Sequence, residues 1–413
     1  MNGHHFLKRL LCAVLAGALL FPGQALAAGY LPMEEAEAAM AAITNETIEE
    51  EVSMAAAITP GVDLPVKSAV LMDQGTGAVL YAENEDVKLP PASITKIMSL
   101  LLIMEAIDSG KIALTDKVTC SDTASGYGGS QIWLKPGEEM TVDDLLKAAA
   151  ISSANDATVC LAEYVAGSEA AFVQLMNDKA RELGMTNTTF QGATGLDSDG
   201  HLTTAKDIAI MSRALLEHPL ILNYSTVWME TLRGGETQLV NTNRLVRFYQ
   251  GATGLKTGTT SGAGSCLSAT ATRDGLGLIA VVMGADTSDH RFAAARSLLD
   301  WGFANFMKAA LVPPENILPV PVTGGVETQV EVTCLPPEGI LIEKGKKEAI
   351  TQDVILPESV AAPVEEGQEL GTIAVCVDGE RVAEYPILAA SGVERMSFGK
   401  ALGILGRTLI AMG

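Results

Sequence analysis

Two strand–turn–strand patterns stand at opposite ends of one long segment, and their placement limits the fold more than any other feature of this sequence. SAVLMDQGTGAVLYAEN, residues 68–84, reads as strand, Gly-rich turn, strand. SCLSATATRDGLGLIAVVMG, residues 265–284, is a second hairpin with longer strands. Between them the spacing is helical. A helix begins near Ser93. TVDDLLKAAAISS and SEAAFVQLMNDKARELG give two more, the second capped by Ser168 and stopped at Gly184. Thr204-Ala-Lys-Asp207 opens another with a capping-box pattern that has Asp in the Glu position. After the second hairpin, DHRFAAARSLLDWGFANFM reads as a helix capped by Asp289. Strands on both sides of a helical middle imply one sheet with helices on its faces. That is an α+β fold, not a doubly wound βαβ repeat.

The flanks have other textures. Lys8 and Arg9, the apolar run 10–21 and Ala25-Leu26-Ala27 make the three parts of a secretory signal, expected over residues 1–27. Residues 28–62 are rich in Ala and Glu without a basic residue and read as a spacer of low order. The main domain is expected over 63–310. LVPPENILPVPV marks a boundary, and TQVEVTCL, GTIAVCVDG and RVAEYPIL give 311–390 the look of a small all-β domain. In the last stretch, 391–413, Phe398, Ala401, Leu402, Leu405, Leu409 and Met412 share one helical face, with Lys400 and Arg407 opposite. Arg407 interrupts the apolar run, so 396–413 is expected to lie on a membrane surface and not to span it.

A formal charge of −22 repels phosphate backbones, so no nucleic-acid partner is expected. Five cysteines follow the signal: Cys120, Cys160, Cys266, Cys334 and Cys376. Their odd number and wide spacing imply no disulfide framework, although Cys334 and Cys376 stand in one small domain.

PPASITKIM, residues 90–98, puts Ser93 and Lys96 one helical turn apart, so the amine can reach the hydroxyl. A helix N-terminus offers free N–H groups to an oxyanion. The apolar run that follows favours a neutral amine, which can act as a base. ISSANDAT supplies Ser153 and Asn155, and GLKTGTTSGAGS supplies Lys256, Thr257, Gly258 and Thr259. Lys256 with the two threonine hydroxyls fits an anion clamp, and Gly258 lets a substrate backbone come close.

S-x-x-K, S-x-N and K-T-G in this order resemble the signature of penicillin-recognising serine enzymes. LKPGEEMTVDDLLKAAAISSANDATVCLAEYVAGS, TGLDSDGHLTTAKDIA and DWGF are similar to the serine D-alanyl-D-alanine carboxypeptidases, the low-molecular-mass penicillin-binding proteins. The resemblance implies a transpeptidase/β-lactamase-like domain, with an antiparallel sheet, helices on both faces and a helical subdomain. A β domain and an amphipathic membrane anchor would follow it. It implies that Ser93 is the nucleophile, Lys96 the base and Ser153 a proton relay. Asn155, Lys256, Thr257, Gly258, Thr259 and Arg291 would bind substrate, with an oxyanion hole at the N–H groups of Ser93 and Thr259. The substrates are then peptidoglycan pentapeptide stems, the inhibitors β-lactams, and no cofactor or metal is called for. The expected location is outside the cytoplasm, peripherally anchored to the outer face of the cytoplasmic membrane.

Five rival readings compete on the sequence, and the last three stay open. A Ser-His-Asp hydrolase lacks a G-x-S-x-G elbow, and His201 with Asp207 lacks the second histidine cluster of a zinc peptidase. A serine β-lactamase typically has S-D-N and a deacylating glutamate; here Ala154 precedes Asn155, and 188–207 offers Asp197 and Asp199 instead. A D,D-endopeptidase would share all three motifs. A non-catalytic wall-binding protein would leave them without a use.

Overall fold

The computed structural model describes residues 64–403. The expected signal, the spacer and most of the amphipathic tail lie outside the described residues.

The two hairpins of the sequence reading close into one sheet. Its strands are β1 (Ser68–Asp73), β2 (Val79–Glu83), β3 (Ala252–Thr260), β4 (Gly264–Arg273) and β5 (Leu276–Ala285), in spatial order β2-β1-β5-β4-β3. Every neighbouring pair is antiparallel. β1 meets β5 with Val70 opposite Val281, which brings the ends of the segment together. Side chains alternate between the faces, as the pleat requires. Val70, Met72, Ile279, Val281 and Met283 enter the core on one face, and Ala69, Leu71, Leu278, Ala280 and Val282 the core on the other.

Six main helices cover these faces: α1 (Lys96–Asp108), α2 (Val142–Ile151), α3 (Asn155–Ala166), α4 (Glu169–Glu182), α5 (Ala205–Leu216) and α6 (Ser288–Asn305). α6 packs Phe292, Ala295, Leu298 and Leu299 on one face of the sheet. α1 and α5 belong to the core on the opposite face, which continues into α2, α3 and α4. α1 is apolar all round because it is buried all round, from Lys96 to Met104 without a break.

The expected caps at Ser168 and Thr204 form, each hydroxyl accepting a backbone N–H one turn on. Three local expectations are corrected. α6 is capped by Thr287, whose Oγ1 accepts from the His290 N–H at 3.1 Å, while Asp289 lies in the first turn and pairs with Arg244. α6 also ends at Asn305, and Phe306–Ala309 becomes a strand paired with Ile340–Glu343. ISSANDAT is not a helix end alone: the chain breaks after α2 and starts α3 at Asn155.

Beyond α6 the chain is β-rich, as expected. A four-stranded sheet runs in the order Val332–Cys334, Glu380–Ala389, Glu369–Val377, Ile350–Ile355, beside a three-stranded one. Cys334 and Cys376 are free thiols. Cys334 lies opposite Ile387, which lies opposite Gly371 on the next strand. Cys376 is roughly 16 Å further along that strand at ~3.3 Å per residue, too far for a disulfide. The last described residues, 398–403, are helical, with Phe398 and Leu402 four apart and both exposed.

Candidate active site

Ser93 does not open α1 directly. It sits in a single 3-10 turn, Ala92–Thr95, that leads into the helix. Ala92 holds φ +50, a left-handed conformation that a residue with a Cβ adopts only under constraint. Lys96 is the first α-helical residue and is fully buried. Its Nζ lies 3.0 Å from Ser93 Oγ and donates to the Thr194 carbonyl at 2.9 Å. Burial first, and the charge of Lys256 second, hold the amine well below the usual lysine range; Asp156 opposes them. A neutral amine that gives one N–H to Thr194 can turn its lone pair toward the Ser93 hydroxyl.

The second motif lies at the break between α2 and α3. Ser153 adopts φ +65, and its buried Oγ has no partner among the described residues. Asn155 starts α3 and faces the segment before it. Its N–H donates to the Ser130 carbonyl and its Nδ2 to the Gly128 carbonyl, both at 2.6 Å. Asn155 Oδ1 is buried without a partner among the described residues, an acceptor that can take a ligand N–H. Thr194, not Asn155, makes the contact to Lys96. The next residue, Asp156, is fully buried and takes the N–H groups of Ile132 and Leu134.

The third motif lies on β3, the edge of the sheet. One side of this strand therefore faces the Ser93 turn. A Cβ on Gly258 would come within 3.0 Å of the Ser93 nitrogen and the Pro91 carbonyl, so glycine permits the approach. Lys256 is buried, and burial, then the Arg291 charge, push it down to about 7. Thr257 Oγ1 donates to Thr242 Oγ1 at 2.6 Å. Arg291 is not a surface charge: it is 8 % exposed, and its Nη1 donates to the Gly258 carbonyl at 2.9 Å and to Thr259 Oγ1 at 2.8 Å. Arg291 Nε is buried without a partner among the described residues.

Two supporting residues lie in the TGLDSDGHLTTAKDIA stretch, outside the three motifs. His201 is buried; its Nδ1 accepts from the Gln191 N–H at 2.9 Å, which leaves Nε2–H to donate to Thr95 Oγ1 at 2.8 Å. Asp197 accepts from Thr260 Oγ1 at 2.7 Å and so ties the segment after Thr194 to the end of β3. Eight of the nine residues singled out in the sequence lie on the Ser93 turn and α1, the break between α2 and α3, and β3, and the ninth, Arg291, reaches β3 from α6.

Two cationic side chains, Lys256 and Arg291, stand with the neutral Lys96 amine around Ser93, and the one buried carboxylate beside them, Asp156, is already bound to backbone N–H groups. Such a site draws in an anion. A serine hydroxyl beside a buried amine, with a cationic wall close by, is an arrangement that fits the penicillin-recognising serine enzymes. The chain belongs to the D-alanyl-D-alanine carboxypeptidase family, whose family model matches residues 53–287; the model for the penicillin-binding protein 5 C-terminal domain matches 311–395. It is 44% identical over 337 residues to the D-alanyl-D-alanine carboxypeptidase DacF of Bacillus subtilis, covering 80% of this chain and 87% of that one. Identity to DacC of Escherichia coli is 37% over 348 residues, 82% of this chain and 86% of that one. The crystal structure of penicillin binding protein 5 from Haemophilus influenzae matches with a TM-score of 0.71 and 31% identity, covering 82% of this chain and 100% of that chain.

Proposed function

We propose that Ser93 is the acyl-forming nucleophile and Lys96 its general base, in a serine D-alanyl-D-alanine carboxypeptidase that trims the terminal D-Ala from peptidoglycan pentapeptide stems. The activity is that of the family and of the relatives that cover most of this chain. The stem's terminal carboxylate meets Lys256, Thr259 and Arg291. Asn155 Oδ1 accepts an amide N–H of the stem. Lys96 takes the proton of Ser93 as its oxygen attacks the D-Ala-D-Ala carbonyl. The oxyanion sits on the N–H groups of Ser93 and Thr259, each donor typically worth ~2.7–4 kcal/mol. Ser153 passes the proton to the departing D-Ala, and water then hydrolyses the ester. A β-lactam enters as a dipeptide mimic and stops at the acyl-enzyme.

The observation that carries this reading is the 3.0 Å contact between a serine and a fully buried lysine. A labelled β-lactam and a D-Ala release assay on a pentapeptide test it. Both signals are expected from the wild type and neither from Ser93→Ala. A Ser93→Ala protein that still binds the label covalently sinks the assignment. The lifetime of the adduct separates the β-lactamase reading: the carboxypeptidase keeps it for hours, a lactamase for fractions of a second. Asp197, the carboxylate in the segment after Thr194 that points to β3, is engaged by Thr260 and Gly262 and is not free to drive deacylation.

The protein is extracytoplasmic and membrane-associated, as its family is. The finer arrangement is part of the proposal. A signal over 1–27 exports it, 28–62 spaces it, 63–310 catalyses, 311–390 forms the β domain, and 391–413 rests on the outer face of the cytoplasmic membrane. Exposed Phe398 and Leu402, on one side of the helical stretch 398–403, support that anchor, and no single described helix is long and apolar enough to cross a membrane.

A further inference from the structure

Trp133 is 74 % exposed, yet the backbone that carries it is pinned on both sides. Ile132 and Leu134 donate their N–H groups to the buried Asp156 carboxylate at 3.1 and 3.0 Å, and Arg233 Nη1 donates to the Ile132 carbonyl at 2.8 Å. Between these anchors Trp133 holds φ +60, which a bulky side chain seldom adopts. Packing does not explain it, because the indole faces water. Held strain that presents a large apolar side chain to solvent is a mark of a ligand contact.

A cavity of about 780 Å³ opens beside this indole, between segment 132–138 and the hairpin of Met229–Leu232 and Thr237–Val240. Both walls run into the catalytic cleft. The first reaches it through the Ser130 carbonyl, which takes the Asn155 N–H. The second reaches it through Thr242, bonded to Thr257. Trp133 is three residues from Ser130, a chain reach of at most about 11 Å. The lining is balanced in charge, with Lys135 and Arg233 against Glu138 and Glu236, and Glu236 is exposed.

We infer that Trp133 and this cavity form a subsite for the stem upstream of the scissile bond, receiving the aliphatic, amine-bearing side chain of its diamino acid. The inference rests on the reading of Ser93 as the nucleophile that cleaves the stem. Methylenes pack on the indole face, the ammonium is drawn to its π-cloud, and Glu236 supplies a carboxylate. The pinned loop carries both this contact and the Asn155 contact, so one segment sets the register of the stem on Ser93.

The test uses the full mature chain and three probes. They are Nα-acetyl-D-Ala-D-Ala, a pentapeptide stem with its side-chain amine free, and the same stem with that amine acetylated. The wild type is expected to favour the free-amine stem. In Trp133→Ala the ratio of kcat/KM for the free-amine stem to that for the acetylated dipeptide falls about tenfold, the size of one desolvated cation–π contact. Trp133→Phe keeps most of the ratio. An unchanged ratio, or an equal fall on all three probes, overturns the subsite. A wild type that releases D-Ala from none of the probes overturns the carboxypeptidase reading itself, and the subsite with it.

Discussion

A Cβ on Gly195 would lie 1.8 Å from the carbonyl oxygen of Ala92. Gly195, at φ +85, follows the residue whose carbonyl holds Lys96; Ala92, at φ +50, precedes the nucleophile. Two constrained backbone pieces therefore interlock, and their contact sets the distances among Ser93, Lys96 and Thr194. Gly195→Ala forces them apart. Acylation by a labelled β-lactam is expected to fall at least about 100-fold, or ~2.7 kcal/mol of barrier. Urea unfolding should show a loss of about 2–4 kcal/mol, the range for overpacking and strain at a special φ/ψ. Acylation within about threefold of wild type, measured the same way, would mean that the interlock positions nothing.

In the proposed mechanism the two buried lysines need opposite charges, which sets the expected pH profile. Lys96 works neutral, so kcat/KM rises as pH climbs through its depressed value. Lys256 works charged, and in the free enzyme it loses its proton near 7, so kcat/KM falls above that point. Substrate carboxylate stabilises the ammonium, so the alkaline limb of kcat lies higher than that of kcat/KM. Lys256→Arg keeps its charge because a guanidinium deprotonates only above ~12. The variant is expected to lose the alkaline limb of kcat/KM up to about pH 9. An alkaline limb that stays in place in this variant would assign it to another group.

The sheet and the three motifs were legible because each is a local pattern. Alternation in 68–84 and 265–284 marks strands, and Ser93, Lys96, Ser153, Asn155 and Lys256 stand in short fixed spacings. What was missed is non-local. Asp156 matters through the N–H groups of Ile132 and Leu134, and Thr194 through a main-chain carbonyl on Lys96. No spacing rule reports either. The sequence pattern ends α2 at Ser153, where the chain does break, but marks no helix over 155–166: α3 follows after a left-handed Ser153 and starts without a side-chain cap to announce it. At α6, Thr287 and Asp289 are both good cap formers, and only the structure shows which hydroxyl meets an N–H.

His201 ties stability to acid. Burial pushes its imidazole down to about 4, with Asp197 opposing. Its folded value is thus below the unfolded one near 6.5, and the unfolded chain binds more protons between the two. Stability is fully present above about 6.5, declines as pH falls, and levels off below about 4. The loss at pH ~4.5 from this residue is about 2–3 kcal/mol, since the imidazolium has no acceptor for the Gln191 N–H. His201→Gln keeps a donor and an acceptor but does not titrate. Denaturant unfolding at pH ~7.5 and ~4.5 should therefore show a smaller pH-dependent loss in the variant than in wild type. Equal losses would show that other groups carry the acid sensitivity.

Ser153 sets stability against activity. Its φ of +65 costs about 1–2 kcal/mol for a residue with a Cβ, and its buried Oγ satisfies no partner among the described residues. Neither feature helps the fold, and both fit a hydroxyl held ready for a proton in transit. Ser153→Gly removes the strain and the orphaned hydroxyl together. After the extra entropy of glycine in the unfolded chain, a net gain of about 1 kcal/mol is expected, a rise of a few degrees in Tm. The same variant loses the proposed relay, and D-Ala release is expected to drop about 100-fold or more, the usual worth of a positioned acid–base group. Ser153→Ala keeps the strained backbone, so it should lose the activity without gaining the full stability. A Ser153→Gly protein that is less stable than wild type would place the hydroxyl in the fold and not in the reaction.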